Sequence, residues 1–155
     1  NFMANATYSR NKITDYIQYI DNYDAGTQIT KTYSNTDIAF SPNVIAAGDI
    51  RYEPVKNLTF DFITKYVGKQ LLDNTSDNTK KLKPYSISDL RLGYTLKTKL
   101  VKEIGFGILI NNIFNHLYES NGYSYSYISG EKEIAENFYY PQSGINILGQ
   151  VSLKF

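Results

Sequence analysis

The chain has 155 residues, 42% of them hydrophobic, and its 16 basic and 15 acidic side chains leave a net charge of +1. That is room for one domain, with no electrostatic case for nucleic acid or a strongly acidic partner surface. The absence of cysteine excludes a disulfide framework and thiolate metal sites, and the longest uncharged apolar stretch, Ile104 to Ile110, is far shorter than the about 20 residues of a membrane helix.

Six segments alternate as strands do, each with one apolar series. Phe2, Ala4, Ala6 and Tyr8 form the first; the chain alternates from its outset and lacks the basic start and apolar run of a signal peptide, so it is expected to begin within a sheet. The second presents Val44, Ala46, Gly48, Ile50 and Tyr52 on one face and Asp49, Arg51 and Glu53 on the other. The third presents Leu58, Phe60, Phe62, Thr64 and Tyr66, opposite Thr59, Asp61, Ile63 and Lys65. Leu90, Leu92, Tyr94 and Leu96 form the fourth, opposite Asp89, Arg91, Gly93 and Thr95. The fifth carries Ile104, Phe106, Ile108 and Ile110, opposite Gly105, Gly107, Leu109 and Asn111. The last runs from Ile145 to Phe155, with Ile145, Ile147, Gly149, Val151, Leu153 and Phe155 on the apolar series and Asn146, Gln150, Ser152 and Lys154 opposite.

Every charge in these segments lies on the same side of the alternation. A transmembrane β-barrel requires this separation, because Arg or Lys on the lipid face costs about 2–4 kcal/mol at the bilayer midplane. A soluble sandwich with its charged series in water produces the same period. The connections differ more. Glu53 to Asn57 and Lys97 to Glu103 are short, whereas Arg10 to Asn43, Gly68 to Pro84 and Phe114 to Gly144 are long and rich in Asn, Ser, Thr, Asp and Tyr. Strict alternation of short turns and long loops is the habit of outer-membrane barrels. The first long loop is expected to carry a protruding hairpin, since Ile13 to Tyr19 and Thr27 to Tyr33 are strand-prone. Six strands fall below the about 8 of the smallest such barrels, and free edges in a bilayer leave unpaired backbone groups. The expected fold is therefore all-β, the end of a larger antiparallel transmembrane barrel.

Several motifs carry a family resemblance: Lys65-Tyr66-Val67-Gly68-Lys69-Gln70 followed by Leu72-Asp73-Asn74-Thr75, then Leu90-Arg91-Leu92-Gly93-Tyr94. They continue with Asn111-Asn112-Ile113-Phe114-Asn115, Tyr118-Glu119-Ser120-Asn121-Gly122-Tyr123, Tyr139-Tyr140-Pro141-Gln142-Ser143-Gly144 and the terminal strand. In order and spacing the chain resembles the carboxyl-terminal barrel strands of TonB-dependent receptors from the outer membrane of Gram-negative bacteria. The resemblance implies the last six strands of a barrel of about 22, with residues 1–155 lacking the amino-terminal plug domain. It also implies a metal-chelate ligand such as a ferric siderophore, energy supplied by the TonB complex through that plug, a surround of outer-membrane lipid, and insertion by the barrel-assembly machinery. Asp49, Arg51, Asp61, Lys65, Asp89 and Arg91 would form a plug-facing inner wall, and Phe155 would be the assembly signal or a girdle aromatic.

Fifteen tyrosines are the compositional outlier, and Tyr suits sites that are half apolar and half wet. Tyr118, Glu119, Asn121, Tyr123, Tyr125, Tyr127, Tyr139 and Tyr140, in the last long loop, are the candidate ligand contacts; the plainer reading has the rings ordering the loop by packing on one another. Asn111, Asn112 and Asn115 are expected to close a strand by bonding backbone. His116, the only histidine, is expected in an exposed loop. Glu131, Glu133 and Glu136 with Lys132 read as solvated charge, with a short helical turn or a calcium site as alternatives. A single His and no glycine-rich phosphate loop leave no catalytic constellation, and no cofactor or metal is expected. Import of a glycan or oligopeptide would use the same strands. The rival of a different class is a self-contained binding or structural β-protein, either a small barrel made by association of chains or a soluble fold with Phe60, Phe62, Ile108 and Ile110 buried.

Overall fold

The computed structural model describes residues 1–99 and 101–155; Leu100, in the expected turn from Lys97 to Glu103, lies outside the described residues. Among the described residues strands alone make up the regular structure: β1 Phe2–Tyr8, β2 Lys12–Asn22, β3 Thr27–Asp37, β4 Val44–Val55, β5 Leu58–Val67, β6 Gln70–Leu71, β7 Lys81–Leu82, β8 Tyr85–Lys97, β9 Glu103–Asn111, β10 Glu119–Ser129, β11 Lys132–Pro141 and β12 Asn146–Lys154. No helix of the described residues is long and apolar enough to cross a membrane.

The six expected strands are β1, β4, β5, β8, β9 and β12, and they form one antiparallel sheet in the order β1-β4-β5-β8-β9-β12. The sheet is open, with β1 and β12 at its edges. Its register joins the apolar series of neighbouring strands into continuous rows. One row runs Phe2, Ile50, Phe62, Leu90, Ile110, Ile147; another runs Leu58, Tyr94, Phe106, Val151. A slip of one residue in any pair would break these rows by turning one strand's apolar series to the other face, so the pattern pins the register. The charged series aligns equally: Arg51, Asp61 and Arg91 are cross-strand neighbours, as are Lys97, Glu103 and Lys154.

Among the described residues no second layer covers the apolar face. Phe106, Ile108, Ile147, Val151 and Leu153 are each between 45% and 66% exposed, and Phe60, Phe62 and Ile110 are only half-buried. The burial expected of a self-contained sandwich is thus not met within this chain. An apolar belt of this extent is uncommon on a soluble monomer and needs lipid or protein against it.

Apolar burial is concentrated instead at the long-loop end. Among the described residues Ile20, Val67, Leu71, Leu72 and Leu82 are the buried apolar side chains, contributed by β2, the end of β5 and the segment 68–84. That segment is tied down by the short β6–β7 pair. At the opposite end the connections are tight: β4 runs through an irregularity to Val55, leaving Lys56 and Asn57 as the turn before Leu58, with Asn57 in the left-handed region at φ 71°.

Candidate functional site

The loop end is a built platform. β2 and β3 form the expected hairpin, and β10 and β11 form a second one where a long loop was expected. The turn of the second hairpin explains the difference. Gly130 and Glu131 both sit at φ 61° between the paired Ser129 and Lys132, the two-residue geometry whose twist matches antiparallel strands. The helical turn considered for Glu131 to Glu136 is therefore replaced by a tight turn running into β11, because the left-handed Gly130-Glu131 pair reverses the chain.

The two hairpins join through a short parallel contact of β2 with β10, Asp21 opposite Tyr127 and Asn22 opposite Ile128, giving the sheet order β11-β10-β2-β3. Their tips interlock. The Tyr23 amide donates to the Ile128 carbonyl at 3.0 Å, and the amides of Gly130 and Glu131 donate to the Asp24 carboxylate at 2.9 and 2.8 Å. Those two amides, Glu131 first, hold the Asp24 carboxyl below its ordinary pKa. Lys31 forms an ion pair with Glu133 across the same junction.

One face of this sheet packs on the segment 68–84. Lys80 is buried there, donating to Asp73 Oδ2 and to Ser126 Oγ, each at 2.9 Å. Asn137 Nδ2 donates to the Thr79 carbonyl at 3.0 Å. A Cβ on Gly122 would lie 3.3 Å from Leu72 and collide with the Phe138 carbonyl oxygen, so glycine permits this close approach. Asp73 and Asp77 brace the segment by accepting bonds from Thr75 and Thr79; the bonds from Thr79 hold the Asp77 carboxyl below its usual value.

The opposite face presents aromatic rings. Tyr123, Tyr125 and Tyr127 alternate along β10 and pair in register with Phe138, Glu136 and Ile134 of β11. Tyr123 stacks on Phe138 with ring centres 4.8 Å apart, and Tyr125 on Tyr127 at 5.6 Å. Tyr23 reaches in from the other hairpin, its ring 5.4 Å from Tyr127 and its hydroxyl 2.6 Å from that of Tyr125. Tyr125 donates in turn to Asp21 Oδ2 at 2.9 Å. The bonds with Tyr23 and Asp21 keep the Tyr125 hydroxyl protonated well above its ordinary range.

Of the candidate contacts, Tyr123, Tyr125, Tyr127 and Tyr140 share this face, with Asn121 paired to Tyr140. Tyr139 pairs with Gly122 on the other series, and Glu119 lies beyond an irregularity in β10, opposite Pro141. Tyr118 stands apart, stacked on Tyr85 at 4.5 Å beside His116; burial and the nearby Asp89 charge raise its hydroxyl. Tyr23, Asp21, Phe138 and Glu136 join the platform without having been singled out as ligand contacts. Alternation of Tyr with Ser over 123–127 was the available sign of β10 itself; Phe138 and Glu136 arrive by its pairing with β11, and Tyr23 and Asp21 by a contact between distant segments.

The asparagines have defined structural bonds. Asn112 is buried at φ 51°; its amide side chain donates to the carbonyls of His116 and Ser143 and accepts from the His116 amide. Asn115 accepts from the Ile145 amide at 2.9 Å. Asn111 bonds Asn146 across the sheet. Together they fasten the return of the last loop to β12.

Asp49, Arg51, Asp61, Lys65, Asp89 and Arg91 all lie on the charged face of the large sheet. Arg51 holds the buried Asp61 with two bonds, Nε to Oδ1 at 2.5 Å and Nη2 to Oδ2 at 3.1 Å. Asp89 accepts from the Asn112 amide, which ties this face to the loop end. Phe155 follows β12 and is exposed. Among the described residues no three His, Cys, Asp or Glu side chains converge as a metal site.

No protein-family model matches the sequence, and no curated protein matches it. Among solved structures the chain is similar to the ferric citrate transporter FecA in its unliganded form, with a TM-score of 0.59 and 18% identity over 91% of this chain. The chain spans only 21% of that protein's length. At this identity the likeness is one of fold alone.

Proposed function

We propose that this chain is the carboxyl-terminal part of the barrel of a TonB-dependent outer-membrane receptor, which takes up a metal chelate such as a ferric siderophore. The observation that carries the reading is the segregation of the large sheet, an uncovered apolar belt on one face and every strand charge on the other, in a chain with the fold of part of a ferric citrate transporter. In this reading the belt meets outer-membrane lipid of a Gram-negative bacterium. The two edges close against the remaining strands of a barrel of about 22. The Arg51–Asp61–Arg91 row and its neighbours Asp49, Lys65 and Asp89 meet polar groups of a plug carried by the rest of the protein, through which the TonB complex acts. The hairpin platform receives the ligand, and Phe155 is read by the barrel-assembly machinery.

The test is energy-dependent uptake of ferric chelates by cells making the full-length protein, with and without an intact TonB system, comparing wild type with a deletion of residues 118–140. Uptake that needs TonB and is lost on deletion supports the reading. Uptake of an oligosaccharide or oligopeptide instead reassigns the cargo, and a water-soluble full-length product overturns the barrel.

A further inference from the structure

The aromatic platform has a charge character of its own. Tyr125 lies between two carboxylates: Glu136 is its cross-strand partner on β11, and Asp21 accepts its hydroxyl proton. Because Tyr125 donates to Asp21, the short hydroxyl contact has Tyr23 donating to Tyr125. Both hydroxyls are thus committed to the chain, and what faces outward is ring surface and negative charge. Tyr23 is 60% exposed and Tyr125 37%. The cations nearest in the fold are engaged elsewhere: Lys31 pairs with Glu133, and Lys80 is buried against Asp73 under the other face. Lys132 shares the series of Glu136 on β11 and lies two places along it, beyond Ile134 at the turn end.

Electron-rich ring faces flanked by carboxylates attract an organic cation, which a tyrosine ring holds within about 6 Å of its centre. An anion or an uncharged apolar group gains nothing from Asp21 and Glu136. We propose that Tyr23, Tyr125 and Tyr127, between Asp21 and Glu136, form a binding site for an alkylammonium group. The site stands on the hairpin geometry alone and does not require the import reading. Combined with it, the site makes the cargo a chelate that bears an amine, unlike an anionic chelate such as ferric citrate.

The test uses the full-length protein in detergent, titrated with choline and with its uncharged isostere, in which carbon replaces the quaternary nitrogen, and followed by saturation-transfer NMR. Choline should bind saturably and at least about fivefold more tightly than the isostere. Tyr125→Ala should weaken choline at least about tenfold. Glu136→Gln, a change at an exposed side chain, should weaken choline several-fold, leave the isostere unchanged and preserve amide protection of β10. Equal binding of choline and isostere, no binding of choline, or an unaltered choline affinity in Glu136→Gln would each overturn the site. Energised chelate uptake with no choline binding removes this site alone, whereas choline binding by a protein that does not enter the outer membrane removes the import reading alone.

Discussion

Replacing Asp73 with Asn should loosen the whole hairpin platform while leaving the large sheet intact. Lys80 has a side chain only 5% exposed, and its ammonium has two protein partners, Asp73 and Ser126, each at 2.9 Å. Removing one member of a buried ion pair costs about 3–5 kcal/mol, because the surviving charge is left uncompensated. Asp73 is 16% exposed and Ser126 remains, so the low end, about 3 kcal/mol, applies. At 1.4 kcal/mol per factor of ten, that raises the open population about a hundredfold. Lys80→Met should behave differently. It removes the charge and keeps the volume, and the carboxylate left behind is partly exposed and still accepts from the Thr75 amide and hydroxyl at 3.1 and 2.6 Å; its cost should be that of one lost hydrogen bond, about 1 kcal/mol. Amide hydrogen exchange over residues 123–128 in the full-length protein reads both. About a hundredfold faster exchange in Asp73→Asn, with less than about tenfold in Lys80→Met, is expected. The reverse order, or no effect from either, would refute the reasoning.

Three further outcomes are expected. Ile20→Ala, at a fully buried position on β2, should cost about 2–5 kcal/mol of local stability, measured as lost exchange protection in both hairpins. Gly122→Ala forces a methyl group against the Phe138 carbonyl and Leu72 and should cost about 1–3 kcal/mol, with amide shifts confined to β10, β11 and loop 68–84. The contact between hairpin tips should survive mild acid. Asp24 is depressed below the ordinary carboxylate value of 3.8 by the amides it accepts, so its contribution is full above that value and lost as pH falls through the lower folded one; the Glu131 amide resonance should titrate below pH 3.8.

The large sheet was legible because its strands obey a single period with charge on one side. That alternation names the strands, and it also fixes which residues of neighbouring strands share a face, as the row from Phe2 to Ile147 shows. The β2–β3 hairpin was legible by composition, because Ile13 to Tyr19 and Thr27 to Tyr33 are rich in the β-branched and aromatic residues that favour strands. The β10–β11 hairpin was not, because Ser, Asn, Gly and Tyr make residues 119–129 look like loop by composition, and Glu131 is an uncommon residue at a left-handed turn position. The buried Lys80–Asp73–Ser126 contact and the Tyr23–Tyr125 bond join residues 46 and 102 positions apart. Local pattern carries no information on such pairs. A lysine in a polar loop reads as solvated, and only the packing of the hairpins over loop 68–84 removes it from water.

Single cysteines placed along β9 of a full-length protein otherwise free of cysteine, in lipid vesicles, report one position each; residues 1–155 need no replacement for this. Spin labels at 104, 106, 108 and 110 should be quenched by oxygen dissolved in the bilayer and shielded from an aqueous paramagnetic reagent. Labels at 105, 107 and 109 should not share that preference for oxygen. A period-two pattern in that phase places the apolar belt in lipid; water access at 106 and 108, or an alternation of opposite phase, would contradict the membrane-spanning sheet.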